Sequence, residues 1–302
     1  MFLICGTVPR KDLPLTLGEV KFLGPVLSLD GVEIPCTQGT AALISAACVT
    51  ADYLRLEPPR ALLVGDDGTG KGSRLLYDHL IRHLPDLSPD VLLLHYMLPV
   101  MGLMKKVNKS ASKAEKRPFM IADAAAMYAA KAAGIAGDFD VFTPDLSEMA
   151  FLADPDAMHP AYVSRHLFES DASKIPELVA ASCRHQNAAK LLLVKGSTDH
   201  IAAEGRIIET ISEPDVPALE AIGGTGDTIS GMVGAFIHGG FKPLDSARIT
   251  FRANRMAGEY AGATPATRIR KIIEALPRVF EKHLAEWKNP GTPPEGEGRY
   301  ER

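Results

Sequence analysis

The amino-acid sequence predicts an α/β protein with a mostly parallel central sheet and helices on both of its faces. Short runs rich in Val, Ile, Leu and Phe are almost wholly apolar, as expected of strands buried on both sides. Segments with apolar residues at helical spacing lie between these runs. Strand and helix patterns alternate over most of the 302 residues, and this alternation is typical of a doubly wound sheet.

The order of the elements follows from these local patterns. We predict strands at residues 2–5, 61–64, 91–94, 119–122, 140–143 and 190–195. We predict helices at residues 38–54, 73–84, 124–136 and 175–187, from about 226 to Gly239-Gly240, from Pro243 to about 262, and at 270–279. Residues 199–211 break the alternation, because two β-rich segments flank Glu204-Gly205 and so predict an antiparallel hairpin.

Composition excludes several classes of protein. The chain carries 33 basic and 37 acidic residues, for a formal net charge of −4, which argues against nucleic acid as a partner. Its four cysteines are scattered, as expected in a reducing cytoplasm. The N-terminal apolar run is too short for a signal peptide, and no segment approaches the ~18–20 apolar residues of a membrane span. We expect one α/β domain over residues 1–288 and a disordered Pro/Gly-rich tail over residues 289–302.

The segment from Ala221 to Gly231 is the richest in candidate chemistry. Its glycines crowd the start of a predicted helix, where unpaired backbone N–H groups carry partial positive charge. Because glycines let that backbone approach an anion closely, phosphate is the expected ligand. Asp227 lies in the first helical turn, where a carboxylate can accept the proton of a hydroxyl that attacks a phosphoryl group. The structural alternative is a turn in which Asp227 only complements the helix dipole.

Gly223-Gly-Thr-Gly-Asp227, followed by an amphipathic helix rich in small residues, resembles the late glycine-rich signature of the ribokinase-like superfamily. It is most similar to the nucleotide-dependent NAD(P)H-hydrate dehydratases, which repair hydrated nicotinamide cofactors. The resemblance implies a ribokinase-like fold, ATP or ADP with Mg²⁺ as cofactors, and a small-molecule substrate. It also implies a catalytic base at Asp227 and an anion hole formed by the backbone of Gly223, Gly224, Thr225 and Gly226.

Other segments are similar to motifs of this family in their order along the chain. Val194-Lys195-Gly196 resembles the strand end that leads to the nucleotide, which implies nucleotide contacts at Lys195, Gly196, Ser197 and Thr198. Thr143-Pro144 with Glu148 resembles the motif whose glutamate helps to hold Mg²⁺, here through water. Further strand ends and glycine-rich loops resemble the substrate side of the family's site; the candidates there are Gly6, Gly39, Thr40, Gly65, Asp66 and Asp123.

Departures from the family pattern leave the phosphoryl acceptor open. The dehydratases carry a His and a Gly inside the motif where this chain has Asp145 and Ser147, and residues 86–118 resemble an insertion. Phosphoryl transfer is therefore the expected reaction, with hydrated NADH or NADPH as the first candidate acceptor. The alternatives are a kinase for a sugar or a vitamin precursor, and a non-catalytic nucleotide-binding protein.

Some of these segments have structural explanations as well. Residues 65–73 nearly form a Walker A loop, but Gly72 stands where Ser or Thr would bind Mg²⁺. No Walker B aspartate follows, because the strand at 91–94 ends in His95. Asp145 and Glu148 have the spacing of a capping box, a role that can coexist with metal binding. The alternative for Lys195 is a snorkelling surface lysine, and the alternative for Asp123 is a helix cap.

The remaining polar clusters favour structural roles. His79 and His83 fall on one helix face without an evident third ligand, which favours a solvated surface over a zinc site. The basic segment 105–117 predicts a mobile solvated loop, with a lid over nucleotide phosphates as the alternative. The Ala-rich face of residues 41–51 indicates core or subunit contact, and we expect a homo-oligomer.

Overall fold

A computed structural model describes residues 1–157 and 172–288, so the tail predicted at 289–302 lies outside the described residues. The strands are β1 (Phe2–Val8), β2 (Thr16–Phe22), β3 (Val26–Leu29), β4 (Val32–Pro35), β5 (Arg60–Gly65), β6 (Val91–His95), β7 (Phe119–Ala122), β8 (Val141–Phe142), β9 (Leu191–Val194), β10 (Asp199–Ala203) and β11 (Arg206–Ile211). The helices are α1 (Thr40–Tyr53), α2 (Lys71–Leu87), α3 (Met101–Ala111), α4 (Ala125–Ala132), α5 (Leu146–Ala153), α6 (Ile175–Arg184), α7 (Thr225–His238), α8 (Pro243–Tyr260) and α9 (Ile269–Lys288).

The described strands form one sheet in the order β11-β10-β9-β8-β7-β6-β1-β5-β2-β3-β4. Its centre, from β9 across to β5, is parallel. Both edges are antiparallel, with β10 and β11 on one side and β2 to β4 on the other. This topology confirms the predicted fold class, including the hairpin at 199–211. Parallel strands present their carboxyl ends at one edge of the sheet, and α/β proteins bind their ligands there.

Alternate residues of the central strands point to opposite faces of the sheet. In β1, Leu3 and Cys5 pack with helices α2 to α6, whereas Phe2 and Ile4 pack with α1, α7 and α8. Helix α9 packs on α1, α7 and α8 through a further apolar cluster. Burial on both faces explains the continuous apolar runs in the sequence. Within residues 1–157 and 172–288, none of the helices combines the length and apolar character needed to span a membrane.

Three segments differ from the sequence predictions. Residues 16–35 form β2 to β4, which the sequence does not indicate, because edge strands bury only some of their residues and lack a continuous apolar run. Residues 105–111 belong to α3, so the prediction of a mobile loop is wrong there; Met104 and Val107 bury the inner face of this helix. Helix α9 continues to Lys288, well past its predicted end.

The contact between α1 and α7 fixes the position of the glycine-rich segment. Gly231 lies so close to α1 that a β-carbon there would stand 2.0 Å from the carbonyl oxygen of Leu43. Three residues further along α7, a β-carbon at Gly234 would stand 2.4 Å from the ring of Phe2. Interiors are too closely packed to absorb such overlaps without movement. These two glycines therefore let α7 lie directly against α1 and β1.

We expect Gly231→Ala to lower the free energy of unfolding by about 1–3 kcal/mol, because the added methyl group must push apart two packed helices. Urea unfolding followed by circular dichroism measures this loss. Gly102→Ala in α3 is the matched control, since a β-carbon there meets no atom of the described chain within 4 Å. Equal stability of the Gly231→Ala variant and the wild type would contradict the close contact between α1 and α7.

Candidate active site

Four ionisable side chains from different elements meet at the carboxyl edge of the central strands. His95 ends β6, Asp123 follows β7, Lys195 follows β9, and Asp227 lies in the first turn of α7. The His95 and Asp123 side chains are fully buried, and those of Lys195 and Asp227 are only 12% and 15% exposed. Three of the four are candidates from the sequence, and His95 is not.

The start of α7 offers backbone donors to an anion. Among the described residues no side chain caps this helix, and Gly224 before it has φ 102°, in the left-handed region that favours glycine. The amides of Gly226 and Asp227 fall in the first turn, where no carbonyl four residues earlier belongs to the helix. Both residues line a cavity of about 390 Å³, so these donors border a space that can hold a phosphate group.

The other members of the predicted anion hole lie around this turn. Thr225 also lines the cavity, but its hydroxyl lies 2.9 Å from the carbonyl oxygen of Leu219 and 3.0 Å from that of Ile222, so its one hydrogen is directed to these carbonyl groups. Gly223 and Gly224 lie behind the turn, where β-carbons would overlap the side chains of Gln38 and Ile269. The structure therefore places the candidate anion site at residues 225–227, with the two preceding glycines shaping the turn.

Asp227 is held by partners from two other segments. Its Oδ2 accepts a hydrogen bond from the backbone N–H of Gly39 at 2.7 Å, and its Oδ1 lies 3.2 Å from Nε2 of His95. Burial alone would raise the pKa of Asp227, but the His95 contact, the charge of Lys195 and the Gly39 amide outweigh it and lower that pKa. The carboxylate is therefore favoured over the acid at neutral pH, as a general base requires.

Asp123 and Lys195 form a buried ion pair beside Asp227. The Lys195 ammonium lies 3.0 Å from Oδ1 of Asp123, and the hydroxyl of Ser230 donates to Oδ2 at 2.6 Å. Asp123 also accepts from the amide of Ala124, but it does not cap α4. Lys195 is not a snorkelling surface lysine; although burial disfavours its charge, Asp123 and other carboxylates raise its pKa. Both residues thus belong to the candidate site.

Glu148 forms the capping box that the sequence predicts. The side chain of Asp145 accepts from the Glu148 amide, and Oε2 of Glu148 accepts from the Asp145 amide, each at 2.8 Å. Its Oε1 accepts from the hydroxyl of Tyr128 at 3.2 Å. Burial, with the negative charges of Asp123 and Asp145, raises the pKa of Glu148 to about 8, against the opposing charge of Lys195 4.0 Å away. Glu148 also lines the 390 Å³ cavity, so capping and ligand binding are compatible.

Arg255 organises the predicted nucleotide side. Its buried guanidinium donates to Asp199 at 2.7 Å, and to the carbonyl oxygens of Gly196 at 3.1 Å and Ser197 at 2.6 Å. It therefore fixes the loop that carries Lys195, Gly196 and Ser197, all of which line the 390 Å³ cavity. Thr198 lines an adjoining cavity with Ser197.

A second cavity of about 500 Å³ adjoins the first, and Tyr96 lines both. Gly39, Thr40 and Asp66 are the predicted substrate-side residues that line it. Gly6 and Gly65, two other candidates, instead make close backbone contacts. A β-carbon at Gly6 would stand 2.6 Å from the carbonyl oxygen of His95, and a β-carbon at Gly65 would stand 1.8 Å from the carbonyl oxygen of Arg10. Asp227 lines the first cavity and its Gly39 partner lines the second, so the carboxylate lies at their junction.

The Walker A-like turn at residues 65–73 is filled by its own chain. The Asp66 carboxylate accepts from the amides of Gly68, Gly70 and Ser73 at 2.9–3.1 Å, and from the Ser73 hydroxyl at 2.9 Å. These donors are the ones that would otherwise cradle a phosphate. They lower the pKa of Asp66 although partial burial raises it, so the internal anion persists at neutral pH.

Among the described residues, one group has ligand atoms close enough for a metal ion, namely His95, Asp123 and Asp227. Lys195 already pairs with Asp123, and the His95 ring itself faces Asp227. The group is therefore an internal charge network rather than a metal site. Sequence reasoning missed His95 because it judged the residue against a Walker B strand; its position at the carboxyl end of a buried strand was the available signal.

Known proteins resemble this chain in sequence and in fold. Residues 100–278 match the family model for carbohydrate kinases of the NAD(P)H-hydrate dehydratase type. An uncharacterised protein of Methanocaldococcus jannaschii is 38% identical over 242 residues, which are 80% of this chain and all of that protein. A bifunctional NAD(P)H-hydrate repair enzyme of Pyrobaculum aerophilum is 36% identical over 110 residues, 35% of this chain and 21% of that one. The ADP/ATP-dependent NAD(P)H-hydrate dehydratase of Bacillus subtilis, crystallised with ATP and Mg²⁺, has TM-score 0.54 at 13% identity, covering 93% of this chain and 89% of that one.

We expect Arg255→Met to lower the free energy of unfolding by about 3–5 kcal/mol, because it leaves the buried Asp199 carboxylate without its partner. Burial already raises the pKa of Asp199 to about 6, against the charge of Arg255. Removing that charge raises the pKa further, so the deficit relative to wild type is smaller near pH 4.5, where the lost hydrogen bonds to carbonyl oxygens remain, and grows as the pH rises through the wild-type folded-state pKa of Asp199.

Urea unfolding at pH 4.5 and pH 8 measures this difference. Arg252→Met is the matched control, because Arg252 is 38% exposed and contacts Glu209 at 3.4 Å; we expect a loss of at most about 1 kcal/mol. A deficit in Arg255→Met that does not change between the two pH values would contradict the buried ion pair.

Proposed function

The chain belongs to the carbohydrate-kinase family of NAD(P)H-hydrate dehydratases, and from that premise we propose that it transfers the terminal phosphoryl group of ATP or ADP to the hydroxyl of a small molecule. The specific acceptor that we propose is hydrated NADH or NADPH. The observation that carries the proposal is the position of Asp227, a buried carboxylate beside open helix-start amides at the junction of two cavities.

The 390 Å³ cavity suits the nucleotide. Its phosphate end is bounded by the amides of Gly226 and Asp227 and by the ammonium of Lys195, and positive charge of this kind stabilises the transferred group. The loop held by Arg255 bounds the same cavity. The B. subtilis dehydratase with the same fold was crystallised with ATP and Mg²⁺, which supports this assignment.

The 500 Å³ cavity suits the acceptor, whose hydroxyl would reach Asp227 across Gly39 and Thr40. The acceptor O–H bond breaks and its proton passes to the Asp227 carboxylate, while the oxygen forms a bond to the terminal phosphorus. The bond from phosphorus to the bridging oxygen breaks, and its electron pair leaves with the shortened nucleotide. On hydrated NADH, the new phosphate ester is a good leaving group. Its C–O bond breaks, phosphate leaves with the electron pair, and the adjacent carbon loses a proton to water as the ring double bond forms, which restores the nicotinamide cofactor.

The residues present fit a magnesium ion bound together with the nucleotide. Glu148 lines the 390 Å³ cavity, and although burial raises its pKa, a bound cation would favour its ionised form. In that form each carboxylate oxygen accepts one hydrogen bond from the protein and keeps one lone pair for a water of the ion. Magnesium usually keeps several waters and binds through one or two carboxylates and substrate phosphates. Bound there, it would neutralise charge on the nucleotide phosphates.

We expect Asp227→Asn to lower kcat by about 10²–10⁴-fold, because the amide cannot accept the acceptor's proton. The assay supplies hydrated NADH with ATP or with ADP and follows the return of NADH absorbance. Asp52→Asn on the exposed side of α1 is the matched control and should retain wild-type activity. Activity of Asp227→Asn within a few-fold of wild type would remove the base assignment.

The same assay separates the candidate activities. Recovery of NADH absorbance supports the dehydratase, whereas a stable phosphorylated product from a sugar or a vitamin precursor supports a kinase with the same phosphate site. Nucleotide binding without turnover of any hydroxyl compound, measured by calorimetry, would support a non-catalytic nucleotide-binding protein and overturn the proposal.

We expect Lys71→Met to leave the affinity for ATP within about twofold of wild type, because Asp66 occupies the amides of the Walker A-like turn. Lys195→Met should weaken ATP binding by tenfold or more, because it leaves Asp123 and Glu148 uncompensated beside the phosphates. Isothermal titration of both variants with ATP and Mg²⁺ measures this contrast. The reverse order of the two effects would move the nucleotide to residues 65–73.

A further inference from the structure

His95 ends β6, a central strand that lies between β1 and β7, and its side chain is fully buried. Residues 86–118 therefore do not form an insertion, because they supply this strand to the centre of the sheet. The groups that face its ring are Thr40 from α1, Asp123 after β7, Asp227 from α7, and the neighbouring ring of Tyr96. Lys195 is the nearby cation, but it pairs with Asp123 on the far side.

The Nδ1 atom of His95 must carry a hydrogen. It lies 2.9 Å from the hydroxyl of Thr40, and that hydroxyl donates to the carbonyl oxygen of Thr7 at 2.7 Å. A hydroxyl has one hydrogen to donate, and a carbonyl can only accept. With its hydrogen committed to Thr7, the Thr40 oxygen can only accept from His95, so the Nδ1 atom is the donor.

The Nε2 atom must carry a hydrogen as well. It lies 3.2 Å from Oδ1 of Asp227 and 3.9 Å from Oδ2 of Asp123, facing both carboxylates without an aligned hydrogen bond to either. A bare nitrogen lone pair in that position would repel two anions in a buried setting, whereas an N–H attracts them. A ring with hydrogens on both nitrogens is the imidazolium cation.

We propose that His95 is the positioning residue for Asp227, a cation that donates from Nδ1 to Thr40 and turns Nε2–H to the Asp227 carboxylate, so that the carboxylate stays ionised and correctly oriented. The charges then balance locally, since Asp123 pairs with Lys195 and Asp227 pairs with His95. This inference rests on the proposed base role of Asp227.

His95 also leaves Asp227 able to act. Oδ1 faces His95 and Oδ2 accepts from Gly39, so each oxygen keeps one lone pair for the acceptor's hydroxyl hydrogen. When the acceptor O–H bond breaks, its proton binds to Asp227 and His95 keeps both of its own. The imidazolium therefore orients the base and keeps it charged before the transfer, without touching the substrate.

The surrounding backbone holds the ring in place. The hydroxyl of Thr7 donates to the carbonyl oxygen of Tyr96 at 2.6 Å, and the absence of a side chain at Gly6 lets the His95 carbonyl approach closely. The Tyr96 ring, on a residue with φ 44°, lies 4.1 Å from the His95 ring and covers it from both cavities. Such a covered ring does not turn freely, as expected of a residue that positions another.

The first test measures the protons directly. In protein labelled with ¹⁵N-histidine, the His95 ring should show both nitrogens protonated at pH 7.5, and Asp227→Asn should convert it to a neutral ring. Thr40→Val should also reduce the imidazolium fraction, whereas Thr40→Ser, which keeps the hydroxyl, should restore it. A neutral ring in the wild type at pH 7.5 would overturn the inference, whatever the activity.

The second test measures catalysis by His95→Asn, which keeps a donor near Thr40 and removes the charge facing Asp227. We expect kcat/KM to fall 10-fold or more at pH 7, and the acidic limb of its pH profile to move up by about one unit. The limb moves up because His95 lowers the pKa of Asp227, and the loss of His95 raises that pKa. The Asp227 base then becomes protonated at a higher pH. His95→Gln, which keeps a donor but no charge, should shift the limb as well while losing less activity.

His238→Gln, at the opposite end of α7, is the matched control. It should keep both the activity and the position of the acidic limb in the pH profile of kcat/KM. A uniform loss of activity with an unmoved acidic limb would overturn the positioning role and leave a structural one. If Asp227→Asn stays active, the proposed function fails by itself; if Asp227→Asn is inactive and His95→Asn is unaffected, only this inference fails. Should His95→Asn not fold, the nitrogen spectra of the wild type decide.

Discussion

The candidate site depends on the contact of two buried carboxylates with basic side chains from other elements. Asp123 contacts Lys195 at 3.0 Å, and Asp227 lies 3.2 Å from the ring of His95. An unpaired charge in such a buried position would cost several kcal/mol and would be neutralised by a change of protonation. The parallel sheet meets this requirement, because β6, β7 and β9 end at the same edge and place His95, Asp123 and Lys195 beside the start of α7. The candidate chemistry is therefore a consequence of how the sheet is assembled.

The second constraint is the close approach of α7 to α1. Gly231 and Gly234 allow it, and the left-handed Gly224 turns the chain so that the helix begins directly at the cavity. The backbone amides at residues 226 and 227 then face the same space as Lys195. A single helix thus supplies the anion site and, through Asp227, the carboxylate. Its packing glycines, about one and two turns further along the helix, hold both in position.

The sequence alone was sufficient for the central sheet, and it predicted three of the four ionisable side chains that the structure brings together in the candidate site. Continuous apolar runs predict β1 and β5 to β9 because these strands are buried on both faces, whereas the strands at 16–35 lie at an edge and give no such signal. The order of the family-like motifs along the chain predicts Asp123, Lys195 and Asp227. His95 does not, because its role exists only through contacts across more than 50 residues of chain, to Thr40 and Asp227. Non-local contacts of this kind have no local pattern in the sequence.

The two glycine-rich turns show what separates a binding site from a structural turn. Both precede a helix and both collect backbone amides, so a motif search scores them alike. At residues 65–73 the chain supplies its own anion, and the Asp66 carboxylate takes three amides and a hydroxyl. At α7 the acidic side chain, Asp227, turns away to Gly39 and His95, and the amides beside it stay open. The direction of one carboxylate thus decides which turn can receive a phosphate, and His95 is part of what sets that direction.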